Sequence, residues 1–526
     1  MSKDMHWATK AAENIIRKYP KKKVYTLAAG ISPSGTVHIG NFRDLITGEA
    51  VARELKAKGK KTRFIFSWDD YDRFRKVPKN IPPKFEKYLG IPYSKVPNPF
   101  KGKEKSYAEH FEKELEKAIP KLGVAPEFIY QTKIYTSGKY RKGIITAMKK
   151  RAIIAKILAE FRTQGFTKEE IENYYPLEIY CEKCKKDTTK ITKYHEKTNK
   201  VEYSCTCGFT NKVDISKEDI GKLQWKVDWA MRWKYEDVCF EPGGQDHSSP
   251  QGSFQVSKRI AKEVYKMEPP IYQPYDFIGL TGLSSKMSGS TGINISPGEL
   301  LKIYEPELLR WLFLRTLPTK RFNFCFDSEI IRQYDEFDRE MIAYTENKLK
   351  ASKRKALELS KANKKFIFTN NISFRLASSL GQLTLGNLKE VKRIIEEIDG
   401  SYNAESVERR LKLSEDWITK YSPENKIVLL KEADKNYFKK LKKEEKDQLK
   451  KFFSEIEDHW SIEKLTNFAY EIPKKEGLEN KEMRKRQRNF FKNVYMISIG
   501  KETGPRLPTF LISIGKRKIK AMTKTL

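Results

Sequence analysis

Cysteine is scarce in this chain, with six in 526 residues. That is too few for a disulfide scaffold and points to a reducing compartment. Long apolar runs are missing too. None approaches the ~20 residues that a membrane span requires, and Met1 to Lys10 lacks the apolar core of a secretory signal. The expectation is a soluble, cytoplasmic protein with no membrane partner. Neither a G-x-G-x-x-G fingerprint nor the Walker spacing occurs, so the two common glycine-rich phosphate loops are excluded. No internal repeat is evident. Acidic residues are outnumbered, 69 Asp+Glu against 104 Lys+Arg, for a formal net charge of +35. A polyanionic partner fits that balance through counterion release. A lysine-loaded, solvated surface produces the same count, so charge alone does not decide. At ~100–200 residues per domain the length predicts about three or four domains.

What is present begins with an apolar run, Val24 to Ala29, followed by Ser32-Pro33-Ser34-Gly35-Thr36-Val37-His38-Ile39-Gly40-Asn41. A helix-like pattern follows in which Phe42, Leu45, Ala52 and Leu55 share a face, and Gly59 suits its C-terminus. A strand, a Gly/Pro/Ser loop and a helix N-terminus in that order predict an anion site made from free backbone N–H groups and the helix dipole. Gly35 and Gly40 permit close backbone approach.

The segment from 20 to 100 reads as α/β. Thr62 to Trp68 is a second strand-like run, ending in Asp69-Asp70-Tyr71-Asp72. Val77 to Phe100 is Pro-rich and resists regular structure. Ser106-x-x-Glu109 has the spacing of a capping box, opening a helix with Phe111, Leu115, Ala118 and Ile119 on one face. Further on, Val238 to Glu241 leads into Pro242-Gly243-Gly244-Gln245-Asp246-His247. Ser249-Pro250 opens a helix burying Phe254, Ile260 and Val264. Ile271 to Leu280 reads as one strand before a Ser/Gly-rich loop, Thr281 to Gly292. Beyond about residue 340 glycine becomes scarce and helical spacing recurs, as in Ile394, Ile395 and Ile398, or Leu449, Phe452, Phe453 and Ile456. The expected organisation is an α/β half at 1–100, an insertion at 101–214, a second α/β half with a connecting region at 215–340, and an all-α domain at 341–526. In an open parallel sheet ligands gather outside the carboxyl ends of the strands. The polar clusters at 30–41, 69–72, 243–247 and 284–291 each fall at such an end.

Cys181-x-x-Cys184 and Cys205-x-Cys207 form two close pairs, with Gly208 after the second and short strands expected at Leu177 to Tyr180 and Val201 to Ser204. Four thiolates in two knuckles match a structural Zn2+ site, with His195 a spare ligand. Cys239 and Cys325 sit in apolar runs and read as small buried hydrophobes.

Pro33 and His38-Ile39-Gly40-Asn41 resemble the HIGH motif of class I aminoacyl-tRNA synthetases, and Lys286-Met287-Ser288-Gly289-Ser290 resembles their KMSKS loop. Both occur in the family's order, each after an expected strand. Asn41 departs from the fourth HIGH residue, and Gly289 stands where the family carries its second lysine, so that burden shifts to Lys286. The best match along nearly the whole chain is to the class I lysyl-tRNA synthetases.

The resemblance implies a Rossmann-type catalytic domain, a zinc-bearing insertion and an α-helical anticodon-binding domain. The implied substrates are ATP with Mg2+, lysine and tRNA(Lys). His38, Asn41 and Lys286 are then the catalytic candidates. Pro33, Gly35, His38, Gly40, Asn41, Asp246, Lys286, Met287 and Ser288 contact ATP, with Asp246 on ribose hydroxyls. The resemblance also implies amino-acid contacts at Gly30, Ser32, His247 and Tyr275. A lysine ε-ammonium needs a carboxylate when desolvated, and Asp69, Asp70 or Asp72 supplies one, Asp70 being the first choice. Helix capping and pairing with Arg73 and Arg75 are the plainer roles for these acids. Trp225 and Trp229, clustered with Trp233, suit the methylene stem, although core packing is the commoner role. A monomer is expected. Two other readings stay open: a class I synthetase for another amino acid such as glutamate, whose pocket would need a cation such as Arg73, Arg75 or Arg232, and a non-catalytic tRNA- or RNA-binding paralogue.

Overall fold

Continuously apolar runs, rather than alternating ones, mark strands buried on both faces of a parallel sheet. The computed structural model bears this out at β1 (Tyr25–Ile31) and β2 (Thr62–Trp68), which pair in parallel along their whole length. It describes residues 4–162, 165–281, 295–363, 365–366, 369, 371–398, 402–457, 460–524 and 526. Lys286, Met287 and Ser288, with the rest of the KMSKS-like loop from 282 to 294, lie outside the described residues.

The remaining strands are β3 (Glu127–Tyr130), β4 (Leu177–Ile179), β5 (Thr189–His195), β6 (Lys200–Cys205), β7 (Thr210–Asp214), β8 (Gly221–Leu223), β9 (Val238–Gly244), β10 (Ile271–Tyr275), β11 (Ile278–Leu280) and β12 (Phe322–Phe324). The main sheet is five-stranded and parallel in the order β10-β9-β1-β2-β3. Strand order reverses between β1 and β9, which places the switch point of the fold there. Gly30, next to the last residue of β1, faces Ser67 of β2, and a Cβ there would sit 2.8 Å from the Ser67 carbonyl oxygen. Only glycine lets the two strands close at this point.

Several expectations change. The run Ile271 to Leu280 is two strands in two sheets, since β11 leaves the main sheet to pair with β12. Arg43, buried in the helix Ile39–Ala57, fixes the break by donating to the carbonyls of Asp276, Leu317 and Lys320 at 2.8, 3.0 and 2.7 Å. β3 lies within the segment read as insertion but is the edge strand of the main sheet, so the excursion runs from the end of β3 to β8. Ser106 caps the helix Tyr107–Ala118 through Glu109 N–H, but Glu109 returns to Lys105 N–H and not to Ser106, which leaves the box half-formed. The helix expected at Ser249 begins at Ser253.

The excursion carries a three-stranded antiparallel sheet, β5-β6-β7, and the pair β4-β8. Its apolar residues Ile191, Tyr194, Val201 and Val213 join one core with Trp229, Trp233 and Phe254. Residues 349–366 pack with this first unit, where Arg310, fully buried, donates to the Leu359 and Leu122 carbonyls and to Glu49. The expected boundary near 340 falls inside the helix Glu329–Thr345.

The second unit spans 302–304, 325–348 and 367–526, and its described elements from 367 onward are helical. Leu449, Phe452, Phe453 and Ile456 are buried in its core with Phe490 and Phe510. Buried Arg410 holds Asp338 through both terminal nitrogens, each at 2.6 Å.

Candidate active site

Two cavities meet at the carboxyl ends of β1, β9 and β10. The outer one is a trough of about 350 Å³ lined by Ser32, Gly35, Thr36, His38, Gly40, Asn41 and Asp246. The inner one is a slot of about 90 Å³ lined by Gly30, Asp44, Asp69, Trp225, Trp229, Arg232, Trp233 and Glu241. Gly244, His247 and Tyr275 border both.

His38 is the N-cap of the helix Ile39–Ala57, and its Nδ1 accepts from Gly40 N–H at 3.1 Å. An accepting Nδ1 puts the proton of the neutral ring on Nε2, as a donor. The expectation of free N–H groups at this helix end needs correction. Ile39 N–H donates to the Ile295 carbonyl at 2.8 Å, and Asn41 N–H to the His38 carbonyl at 2.9 Å. The first-turn donors therefore have partners, and the helix dipole is what this end still offers an anion. Asp246 and His247 sit on the short helix Gln245–Ser248 directly after β9.

The slot is walled by indoles. Trp225 stacks on Trp229 with centroids 5.0 Å apart, and His247 approaches the edge of Trp229 at 5.6 Å. Core packing, the commoner role expected for most of the three tryptophans, holds for Trp229 and Trp233, which are buried, yet each also donates its indole N–H to Glu241. Burial pushes the Glu241 carboxyl up to about 7 against the pull of those two donors. Burial, with Glu241 adding to it, holds the Asp44 carboxyl well above the usual carboxylate range, although Gly30 N–H and the Tyr275 hydroxyl bond to it. Burial raises Asp69 as well, opposed by Arg232. Four acids line the slot: Glu236 pairs with Arg63 and Asp69 with Arg232, whereas burial holds the Asp44 and Glu241 carboxyls above the usual carboxylate range, a surrounding that favours a cation.

Arg232 is the one arginine that lines it, and its terminal nitrogens are committed to Asp69 and Asp228. Asp70 is absent from the lining of either cavity. Its Oδ1 accepts from Thr132 N–H at 2.8 Å, and burial brings its carboxyl to about 6. Asp72 is turned to Ser32 and Lys222. Arg73 pairs with Asp187 and not with the neighbouring acids.

The profile described as tRNA synthetases class I (K) matches residues 5–363 of this chain. The chain belongs to this family. A lysine–tRNA ligase of Borrelia garinii subsp. bavariensis is 38% identical, covering 98% of both chains. One of Streptomyces coelicolor is 35% identical over 98% of this chain and 97% of its own. One of Pyrococcus horikoshii is 36% identical over 97% and 98%. Among solved structures, a glutamate tRNA ligase from Elizabethkingia meningosepticum aligns with a TM-score of 0.44 at 14% identity, over 96% of this chain and 100% of that one.

Sequence reasoning missed three of the slot's acids, Asp44, Glu236 and Glu241. Glu241 is the single charge in an otherwise apolar strand, and Asp44 lies on a helix that is buried along most of its length. For Glu241 that lone charge was the available signal; the helix bearing Asp44 also carries Arg43, Glu49, Arg53, Glu54 and Lys56, so its sequence offered none.

The four cysteines converge, with all ligand sulfurs within 4.8 Å of one another. The Cys181–Cys207 and Cys184–Cys205 sulfurs are 3.7 and 3.6 Å apart, far from a disulfide. A tetrahedral Zn2+ with Zn–S of about 2.3 Å requires S···S edges of about 3.8 Å, so the donor set and its spacing fit that ion. His195 is no spare ligand in this arrangement, since its Nε2 pairs with Glu202 at 2.7 Å. Cys239 is buried as expected, whereas Cys325 is half-buried.

Proposed function

We propose that this protein is a lysine–tRNA ligase. It activates lysine with ATP to lysyl-adenylate and transfers the lysyl group to the 3′ end of tRNA(Lys). The observation that carries the substrate is the slot: Asp44, Glu241 and Asp69 converge in a space walled by indoles, and the terminal nitrogens of Arg232 are already paired. A long methylene stem ending in an ammonium satisfies the apolar walls and relieves the mutual repulsion of the acids. In this reading Glu241 and Asp44 take over the role first given to Asp70. Gly30, Trp225, Trp229, His247 and Tyr275 surround the amino acid. Ser32 acts on the slot from the trough side.

The two cavities share Gly244, His247 and Tyr275, and there the lysine carboxylate meets the α-phosphorus. The carboxylate oxygen bonds to that phosphorus as pyrophosphate leaves. The ribose hydroxyl of tRNA then takes the acyl group, releasing AMP. No protein nucleophile takes part. His38 Nε2–H donates to the triphosphate, Asp246 holds ribose, and Pro33, Gly35, Gly40 and Asn41 shape the trough. Lys286, Met287 and Ser288 are the further ATP contacts that the KMSKS-like motif implies. Mg2+ bound with ATP would supply charge neutralisation for the departing pyrophosphate. Cys181, Cys184, Cys205 and Cys207 would hold a structural Zn2+. The helical second unit binds the anticodon arm, and the protein works as a cytoplasmic monomer.

Arg232 lines the slot and its Nε is buried without a partner, which favours glutamate as the second reading. Pyrophosphate exchange with each of the twenty amino acids, with and without tRNA, separates the two. Stimulation by lysine is expected, and stimulation by glutamate alone would overturn the assignment.

A further inference from the structure

The excursion between β3 and β8 does more than carry the cysteines. Its last strand, β8, pairs antiparallel with β4, Glu178 facing Lys222 and Ile179 facing Gly221. A Cβ on Gly221 would lie 2.7 Å from the Glu178 carbonyl oxygen, so the glycine lets β8 close on β4. That closure delivers the next residue, Lys222, into the interior, where it is 5% exposed.

The Lys222 ammonium bonds Asp72 Oδ1 and lies 3.5 Å from Asp228 Oδ2. Asp72 Oδ2 accepts from Ser32 Oγ at 2.7 Å. Asp228 passes the chain of contacts to Arg232, and Arg232 to Asp69. The backbone stitches the same loops together, because Asp69 N–H donates to the Ile31 carbonyl at 2.9 Å and Asp72 N–H to the Asp69 carbonyl at 3.1 Å. One end of this network is therefore the residue after β1 in the trough, and the other is a pair that lines the slot.

A buried ammonium is expensive to desolvate and adds nothing to a two-stranded ladder that an apolar side chain would not supply as well. Its partners show what it is for. Without it, Asp72 and Asp228 would face one another's charge with Arg232 alone, and Asp72 would lose the partner that aims its other oxygen at Ser32.

We propose that Lys222 is a positioning residue for the amino-acid site, setting Ser32 and the 69–72 loop through Asp72. The proposal rests on the ligase reading above. It makes the insertion part of the substrate site although it contributes no residue to the cavity walls. A purely structural lysine would affect stability, and through it every kinetic constant, alike.

The test is a double-mutant cycle on the full chain, read by lysine-dependent pyrophosphate exchange in the presence of tRNA. Lys222→Met should raise KM for lysine by about tenfold or more, leaving kcat and KM for ATP within about threefold. Ser32→Ala should raise the same KM, and the double variant should be no worse than the worse single one, because both act through one contact. If Lys222→Met does not fold, as judged by thermal unfolding, Asp72→Asn takes its place in the cycle with the same expected values. Multiplicative effects of the two substitutions, equal losses in kcat and both KM values, or no effect would each overturn the relay. Exchange by the unaltered protein with glutamate in place of lysine would instead overturn the ligase reading.

Discussion

Trp229 donates its indole N–H to Glu241 Oε1 at 3.0 Å. An acid deep in the slot is thus held by a neutral aromatic donor, which orients it without cancelling its charge. The side chain stays available to a cationic ligand, and the indole that orients it also forms the wall along which a methylene stem would lie.

Glu241→Gln should weaken lysine binding by about 2–5 kcal/mol, the range for truncating one partner of a buried charge pair. The pH dependence carries a sign. The Glu241 carboxyl stands at about 7 in the fold against an ordinary 4.5, so the folded state holds a proton that the unfolded chain has lost. The free protein should therefore lose stability as pH rises through that interval. Bound lysine favours the ionised acid, so KM for lysine should fall between about pH 6 and about pH 8, a trend that Glu241→Gln flattens. Steady-state exchange across that range is the measurement, and an unchanged slope in the variant would remove Glu241 from the pocket.

His38→Ala should lower the rate of adenylate formation by about 1–3 kcal/mol of transition-state stabilisation, with far less effect on lysine binding. The ring caps its own helix through Nδ1, so His38→Asn, which preserves the cap, should restore stability without restoring the rate. Single-turnover activation read beside thermal unfolding distinguishes the two contributions.

The purified protein should carry one zinc per chain on its four clustered cysteines. Chelation should leave ATP affinity intact at temperatures where the fold persists, since no cysteine lines the trough. It should raise KM for lysine, because Tyr180, beside Cys181, bonds the Tyr71 carbonyl at 2.6 Å, and Arg73 pairs with Asp187. Elemental analysis after metal-replete purification that finds no zinc would end this account.

Truncation after residue 366, which retains the helix Ala351–Ser360, should leave a chain that binds ATP but has lost most of its tRNA affinity. Binding by the full chain should weaken steeply with salt. Filter binding of both proteins over a salt series tests the two statements together.

Local pattern carried much of this architecture. The run Thr62 to Trp68 is a strand over those very residues, and the strand-end clusters at 30–41, 69–72 and 243–247 line the cavities or join the network beneath them. What escaped sequence reading depended on distant partners. The break in Ile271 to Leu280 is made by Arg43 and by pairing with Phe322–Phe324. The Ile39 N–H finds its acceptor at Ile295. Asp70 looked best placed at its strand end, yet a backbone N–H from Thr132 holds it. Asp69, its neighbour, does line the slot, but Asp44 and Glu241 reach it from a helix and a strand far apart in sequence, and only the parallel sheet brings them together.

The shared core of the first unit has a thermodynamic corollary. Ile191, Val201 and Val213 of the cysteine-bearing sheet bury against the same cluster as Trp229 and Phe254 beneath the slot, so neither part keeps a complete interior without the other. Ligand binding anywhere in a cooperative unit raises the stability of all of it. Zinc held at the knuckles should accordingly register as a rise in the single melting temperature of the sheet, the slot and the insertion together, rather than as the loss of a separate low-temperature transition.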